Sequence, residues 1–150
     1  MLEQTHPLNR LIEELRKIPG IGAKTAQRIA FYLTTLPQEE VEGLSAAIKE
    51  AKQNTFYCSV CNSMTHVDPC QYCSDKNRSD DVLCIVEEPF NISSIEKTGI
   101  YSGRYHVLLG TLSPLKGVGP DELKTEKLVK RIKKGGFKEI IIATNPTVEG

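Results

Sequence analysis

The sequence predicts an α+β protein of three modules: a helical N-terminal part, a small four-cysteine module, and an α/β part built on a parallel sheet. Three observations lead there. Apolar residues recur at spacings of three and four up to about residue 54, which is the period of helices packed on one face. Four of the five cysteines then crowd into one short stretch. Beyond residue 80 the apolar residues gather into short continuous runs separated by a helical pattern, as expected of strands covered on both faces by crossover helices.

In the first module Leu8, Leu11, Ile12, Leu15 and Ile18 form one apolar helical face, and Ala26, Ile29, Ala30 and Leu33 form another. Between them Pro19 disfavours helix at Ile18, while Gly20 and Gly22 permit positive φ and leave no side chain between the backbone and a visitor. The two helices therefore fold back on each other. The second opens with free N–H groups and the positive end of its dipole, and Lys24 and Arg28 add charge one turn apart, so the turn favours an anion. The run P-G-I-G-x-K-T-A-x-R resembles the helix-hairpin-helix motif, which implies phosphate contacts to DNA without base readout. Gly20, Gly22, Lys24 and Arg28 are the candidate DNA-binding residues; an ordinary helical hairpin is the alternative reading. A third helix starts near Gln38 after Pro37, with Val41, Leu44, Ala47, Ile48 and Ala51 as its stripe. Three short helices make a thin core, so the stripes are expected to pack on another part of the chain or on a second subunit.

Composition narrows the function classes. Nineteen basic and nineteen acidic residues give a formal net charge of zero, so any nucleic-acid site must come from local segregation of charge. No apolar run approaches the length of a membrane span, and Met1–Arg10 lacks the pattern of a signal peptide, which makes the cytoplasm the expected compartment. An odd cysteine count with four clustered argues for a metal in a reducing compartment rather than for disulfides.

Cys58-x-x-Cys61 and Cys70-x-x-Cys73 are separated by eight residues. Each pair sets two thiolates on a tight turn, and the short spacer lets four sulfurs converge on the tetrahedral shell that zinc prefers. Four protein ligands leave no open position, so one structural Zn2+ is expected. Redox C-x-x-C pairs or an iron–sulfur centre are the alternatives. His66 in the spacer reads as a surface residue, and Ser74–Asp81 as a polar linker.

Val82–Val86, Tyr105–Gly110 and Glu139–Thr144 read as strands, with a helix from about Pro120 to Lys134 before the last. Cys84 reads as an inert core residue. The basic run Lys124, Lys127, Lys130, Arg131, Lys133 and Lys134 is read as a solvated helix face rather than a DNA patch, and Gly117–Pro120 as a loop. In open parallel sheets ligands bind at strand ends, which singles out V-E-E-P from Val86 and A-T-N-P-T-V-E-G from Ala143. These segments resemble the two signatures of the Toprim domain of topoisomerases and primases. In catalytic members that resemblance implies a glutamate, matched by Glu87, and two aspartates that help hold magnesium. Asn145 and Thr147 stand at the aspartate positions, and an amide plus a hydroxyl poorly replaces two negative ligands. A Toprim fold without Toprim catalysis is expected; a magnesium-dependent nuclease or topoisomerase-like enzyme is the alternative.

The order of modules, 1–54, 55–76 and 80–150, together with I-P-G-I-G-x-K-T-A-x-R-I-A, Y-x-G-R-Y-H-V-L-L-G and L-x-P-L-x-G-V-G-P, resembles the RecR family of bacterial recombination mediators. The resemblance implies a protein that is not an enzyme and takes no small-molecule substrate. It implies a ring-like oligomer, dimer to tetramer, that encircles DNA and works with RecO and RecF to load RecA onto gapped DNA. It matches Lys24 and Arg28 to DNA contacts, and Glu149 and Glu87 to candidate contacts with RecO. It also implies that the sheet is incomplete at Gly150.

Overall fold

The structure, a computed structural model, describes residues 6–112, 118–119, 123 and 125–148. The chain divides into two compact units, Met1–Gln53 and Asn54–Gly150.

In the first unit α1 (Pro7–Arg16) packs on α2 (Ala23–Thr35), and α3 (Gln38–Asn54) follows. Pro7 opens α1, and His6 Nδ1 accepts from the amide of Leu8 at 3.3 Å. The hairpin between α1 and α2 is a tight turn in which the Ile21 amide donates to the Ile18 carbonyl at 3.0 Å. Pro19 and Gly20 occupy its centre, with Gly20 at φ 83°, the conformation a type II turn requires at that position. Ile18, expected on the α1 face, lies beyond the helix and is exposed, because the turn has already begun there. Ala26 and Ala30, one turn apart, are fully buried, since only a methyl fits where two backbones approach. By contrast α3 buries none of its residues, and Leu44 and Ile48 are exposed.

The second unit begins with a two-stranded antiparallel hairpin, β1 (Phe56–Tyr57) and β2 (Met64–Thr65), and a short helix α4 (Gln71–Ser74). A parallel sheet follows in the order β4-β3-β5, with β3 (Val82–Val86) at the centre, β4 (Arg104–Val107) and β5 (Glu139–Ala143). The central strand is buried on both faces, as its unbroken apolar sequence requires. On one side Cys84 and Val86 pack with Tyr105, Val107 and Ile92 of α5 (Pro89–Glu96); on the other Leu83 and Ile85 pack with Leu128 of α6 (Thr125–Gly135).

Several expectations change. The strand expected over Tyr105–Gly110 ends at Val107, because Leu109 at φ 64° and Gly110 at φ 153° leave extended geometry. Of the helix expected from about Pro120 the described part is Thr125–Gly135, with Leu123 in a turn; residues 120–122 and 124 lie outside the described residues, as do Gly117 and much of the loop expected there. The stretch 74–81 is no free linker: Arg78 reaches Glu96 at 2.5 Å and the Gly103 carbonyl at 3.1 Å, and its guanidinium stacks over Tyr72 and Tyr105. Helix α5 went unread in the sequence, although Pro89 at its first turn and the bond from the Glu88 amide to Asn91 Oδ1 at 2.9 Å are ordinary start signals.

Candidate nucleic-acid interface and metal centre

Gly22 caps α2 with extended backbone, and no side chain caps the first-turn N–H groups. A Cβ placed at Gly20 or Gly22 would meet no atom within 4 Å, so the space over both glycines is open. The left-handed φ makes glycine the natural residue at Gly20, whereas Gly22 has an ordinary φ of −80°. Neither conformation nor a close contact therefore demands glycine at Gly22; its effect is to leave the first-turn N–H groups without a side-chain cap. Lys24 and Arg28 are exposed on the next turn, and among the described residues neither forms an ion pair. The four expected residues thus come together at one helix start, where main-chain donors, dipole and two cations all favour an anion.

In the second unit the four cysteine sulfurs lie within 4.8 Å of one another. Cys61 Sγ to Cys70 Sγ is 3.5 Å and Cys58 Sγ to Cys73 Sγ is 3.9 Å. Zinc–sulfur bonds of about 2.3 Å would set tetrahedral sulfurs about 3.8 Å apart, so the donor set fits zinc. The Asn62 amide donates to the Cys58 carbonyl at 3.0 Å, and Asn62 takes φ 61° to turn the chain. Amides of Val60 and Cys70 point at Cys58 Sγ and that of Ser63 at Cys61 Sγ, each at 3.4 Å, which stabilises thiolate charge. Asp68 ties the two knuckles together by accepting the Ser59 amide at 2.8 Å, a bond that holds its carboxyl below the usual range. His66 is exposed, as expected.

The cysteine module is anchored to the sheet. Arg104 Nη1 donates to the carbonyls of Tyr72, Cys73 and Asp75 at 2.9–3.2 Å, and the Val107 amide donates to the Cys61 carbonyl at 2.8 Å. Two cations of the basic run also turn inward: Lys127 donates to Asn62 Oδ1 at 2.6 Å, and Arg131 to the Tyr105 carbonyl at 2.5 Å. The solvated face expected over that run is therefore reduced to Lys130, Lys133 and Lys134; Lys124 lies outside the described residues. Inside this cluster stands His106, 1% exposed, whose imidazole is pushed down to about 4 by burial and then by Arg131 and Lys127. Sequence reasoning missed it, because nothing in a strand pattern says which cations will meet a strand residue.

At the strand ends Glu87 is 4% exposed. Its Oε1 accepts the Asn145 main-chain amide at 2.8 Å and its Oε2 the Asn145 side-chain amide. Glu87, read as a candidate contact for a partner protein, is thus buried with its carboxylate already holding donors inside the unit. Glu149, the other candidate, lies outside the described residues, as does Gly150. Asn145 thus occupies the carboxylate that a metal would otherwise need. Among the described residues the four cysteines are the one group of three or more metal-ligating side chains.

Comparison with known proteins agrees with this arrangement. Residues 8–52 match the family model described as RecR, helix-hairpin-helix; residues 55–75 match the model for the RecR zinc finger domain with four cysteine ligands; and residues 81–150 match that described as Toprim domain. A protein of Heliobacterium modesticaldum named Recombination protein RecR is 54% identical over 144 residues, 96% of this chain and 72% of its own length. Those of Koribacter versatilis and Acidobacterium capsulatum, with the same name, are 49% and 51% identical over 150 residues, the whole of this chain and 75% of theirs. The four cysteines form one structural zinc site, as geometry and family model agree.

Proposed function

Because the chain belongs to the RecR family of recombination proteins, which implies a role in recombinational repair, we propose that it is a non-catalytic, DNA-binding mediator. It holds phosphates without reading bases and acts with RecO, and with RecF, to place RecA on gapped DNA. The observation that carries this reading is the turn at Gly20–Arg28, where two exposed cations flank an uncapped helix start with open space above it. Contacts of that kind are sequence-independent and salt-sensitive. Lys24→Ala and Arg28→Ala should each weaken duplex binding several-fold, uniformly across sequences, and lower the salt slope by about one each. Titration of labelled duplexes over a salt series measures both; unchanged affinity and slope in the double variant would sink the grip.

The protein works as an oligomer, from dimer to tetramer, with the exposed stripe of α3 as the first place for a second copy. RecO contacts fall to acidic positions near the last strand, Glu149 foremost. The alternative, a magnesium-dependent strand-cleaving enzyme, is disfavoured by donor chemistry, since Asn145 and Thr147 supply no anionic ligand. A plasmid relaxation assay with magnesium separates the two. Among the described residues no helix is long and apolar enough to cross a membrane. The cytoplasm is the compartment proposed from the family's role in recombinational repair.

A further inference from the structure

We propose that Phe31 and Tyr32 extend the phosphate grip into a base-stacking surface, so that this helix prefers DNA with unpaired nucleotides over continuous duplex. The proposal rests on the DNA-binding reading of the hairpin and adds a second ligand class to it. Phe31 is 51% and Tyr32 61% exposed. At 100° per residue Lys24, Arg28, Phe31 and Tyr32 fall within about 100° of arc, on the side of α2 opposite the buried Ala26 and Ala30. A shallow hollow lies over this face, with the two cations and the two rings among its walls. Half or more of each ring is left in solvent, a surface open to a ligand from outside the unit.

Charge decides between occupants. No acidic residue occurs in α2, so two copies meeting symmetrically on this face would set Lys24 and Arg28 against their own kind with no carboxylate of the helix to pair them. A polyanion with flat apolar rings satisfies both halves of the face: phosphates meet the cations, and bases meet the aromatics. Duplex DNA offers only the first half, because its bases are stacked inside; a gap or single strand offers both. Stacking of this kind tolerates any base, which matches a grip that reads no sequence.

The test uses the full chain and three labelled probes of equal length: a deoxythymidine single strand, a blunt duplex and a gapped duplex. Phe31→Ala and Tyr32→Ala should each weaken the single-strand and gapped complexes by about five-fold or more and the duplex complex by less than about two-fold. Lys24→Ala should weaken all three. The chain contains no tryptophan, so Tyr32→Trp installs a single indole whose emission should be quenched by the single strand and left nearly unchanged by the duplex. Equal losses on duplex and gapped probes, or an indole that no single strand quenches, would overturn the stacking role. Light scattering that shows either alanine variant dissociating an oligomer would overturn it as well, by assigning the rings to a second copy. Failure of the grip itself would read differently: the Lys24→Ala, Arg28→Ala double variant would keep its duplex affinity while the aromatic variants still lost the gapped probe.

Discussion

His106 shows how one side chain ties titration to structure. It sits in β4 with Arg131 Nη1 3.2 Å from Nδ1 and Asn62 Nδ2 3.5 Å from Nε2, beneath the cysteine module. Burial disfavours the imidazolium, and Arg131 and Lys127 repel it further. The folded pKa of about 4 lies below the ordinary 6.5, so protonation favours the unfolded chain. Its contribution to stability is whole above pH 6.5 and is lost as pH falls through that value towards about 4, in total about 3 kcal/mol. His106→Gln, which keeps a polar group without a titrating proton, should flatten this part of the profile. Urea titrations of both proteins between pH 7 and 4 check it; parallel curves would remove His106 as the cause. Gly103 is constrained for a different reason, as a Cβ there would stand 2.7 Å from the Val82 carbonyl and 2.4 Å from the Tyr101 hydroxyl.

At the scale of elements, the cysteine module illustrates how little core a metal needs beside it. Its hairpin pairs only Phe56 with Thr65 and Tyr57 with Met64, and Phe56, Tyr57, Met64 and Val67 are exposed. Apart from the cysteines, few apolar groups there leave water, so zinc supplies the folding free energy, on the order of 10–16 kcal/mol for sites of this class. Removal of zinc by a chelator should therefore unfold residues 55–75 first. Because Cys61 and Asn62 bond the Val107 backbone and Cys73 receives Arg104, amide protection should also fall along β4, and less along β3. Hydrogen exchange with and without chelator reads this directly. Protection unchanged over residues 55–75 would refute metal-dependent folding. Helix α1 and helix α2 depend on no such device, since the turn at Pro19–Gly20 and the close approach at Ala26 and Ala30 hold them together.

Across the described residues both units leave apolar side chains in solvent, and two of these groups lie on single elements. In the first unit α3 keeps Leu44 and Ile48 in solvent; in the second the outer strand β5 keeps Ile140, Ile141 and Ile142 partly or largely exposed. The chain spans about three quarters of the curated relatives it matches, 72% and 75% of the first two. A single hairpin neutralises few phosphates on a chain of zero net charge, so affinity for DNA should grow with the number of copies held together. Leu44→Glu with Ile48→Glu places charge on the α3 stripe and should convert the proposed oligomer to monomers. Duplex affinity should then fall about ten-fold or more although Lys24 and Arg28 are untouched. Sedimentation and DNA titration on the same samples test both halves, and a monomeric wild-type chain would contradict the premise.

What the sequence by itself determined was whatever depends on local spacing. The four sulfurs at Cys58, Cys61, Cys70 and Cys73 were legible because two tight turns and a short spacer leave them one way to converge. The helical hairpin at Gly20–Arg28 was legible because proline and glycine set the turn within a few residues. The central strand was legible because Val82–Val86 is apolar without interruption. Tertiary structure alone decided what depends on contacts between segments far apart in sequence. It placed Glu87 inside, under Asn145, rather than on a surface for a partner. It turned Lys127 and Arg131 inward to Asn62 and Tyr105, and it made Arg78, in a stretch that reads as linker, a clamp on Glu96. In each case a charged residue has the same local pattern whether it ends in solvent or against a buried partner. The free energy that chooses between them comes from desolvation offset by one particular acceptor, and that acceptor is brought there only by the fold.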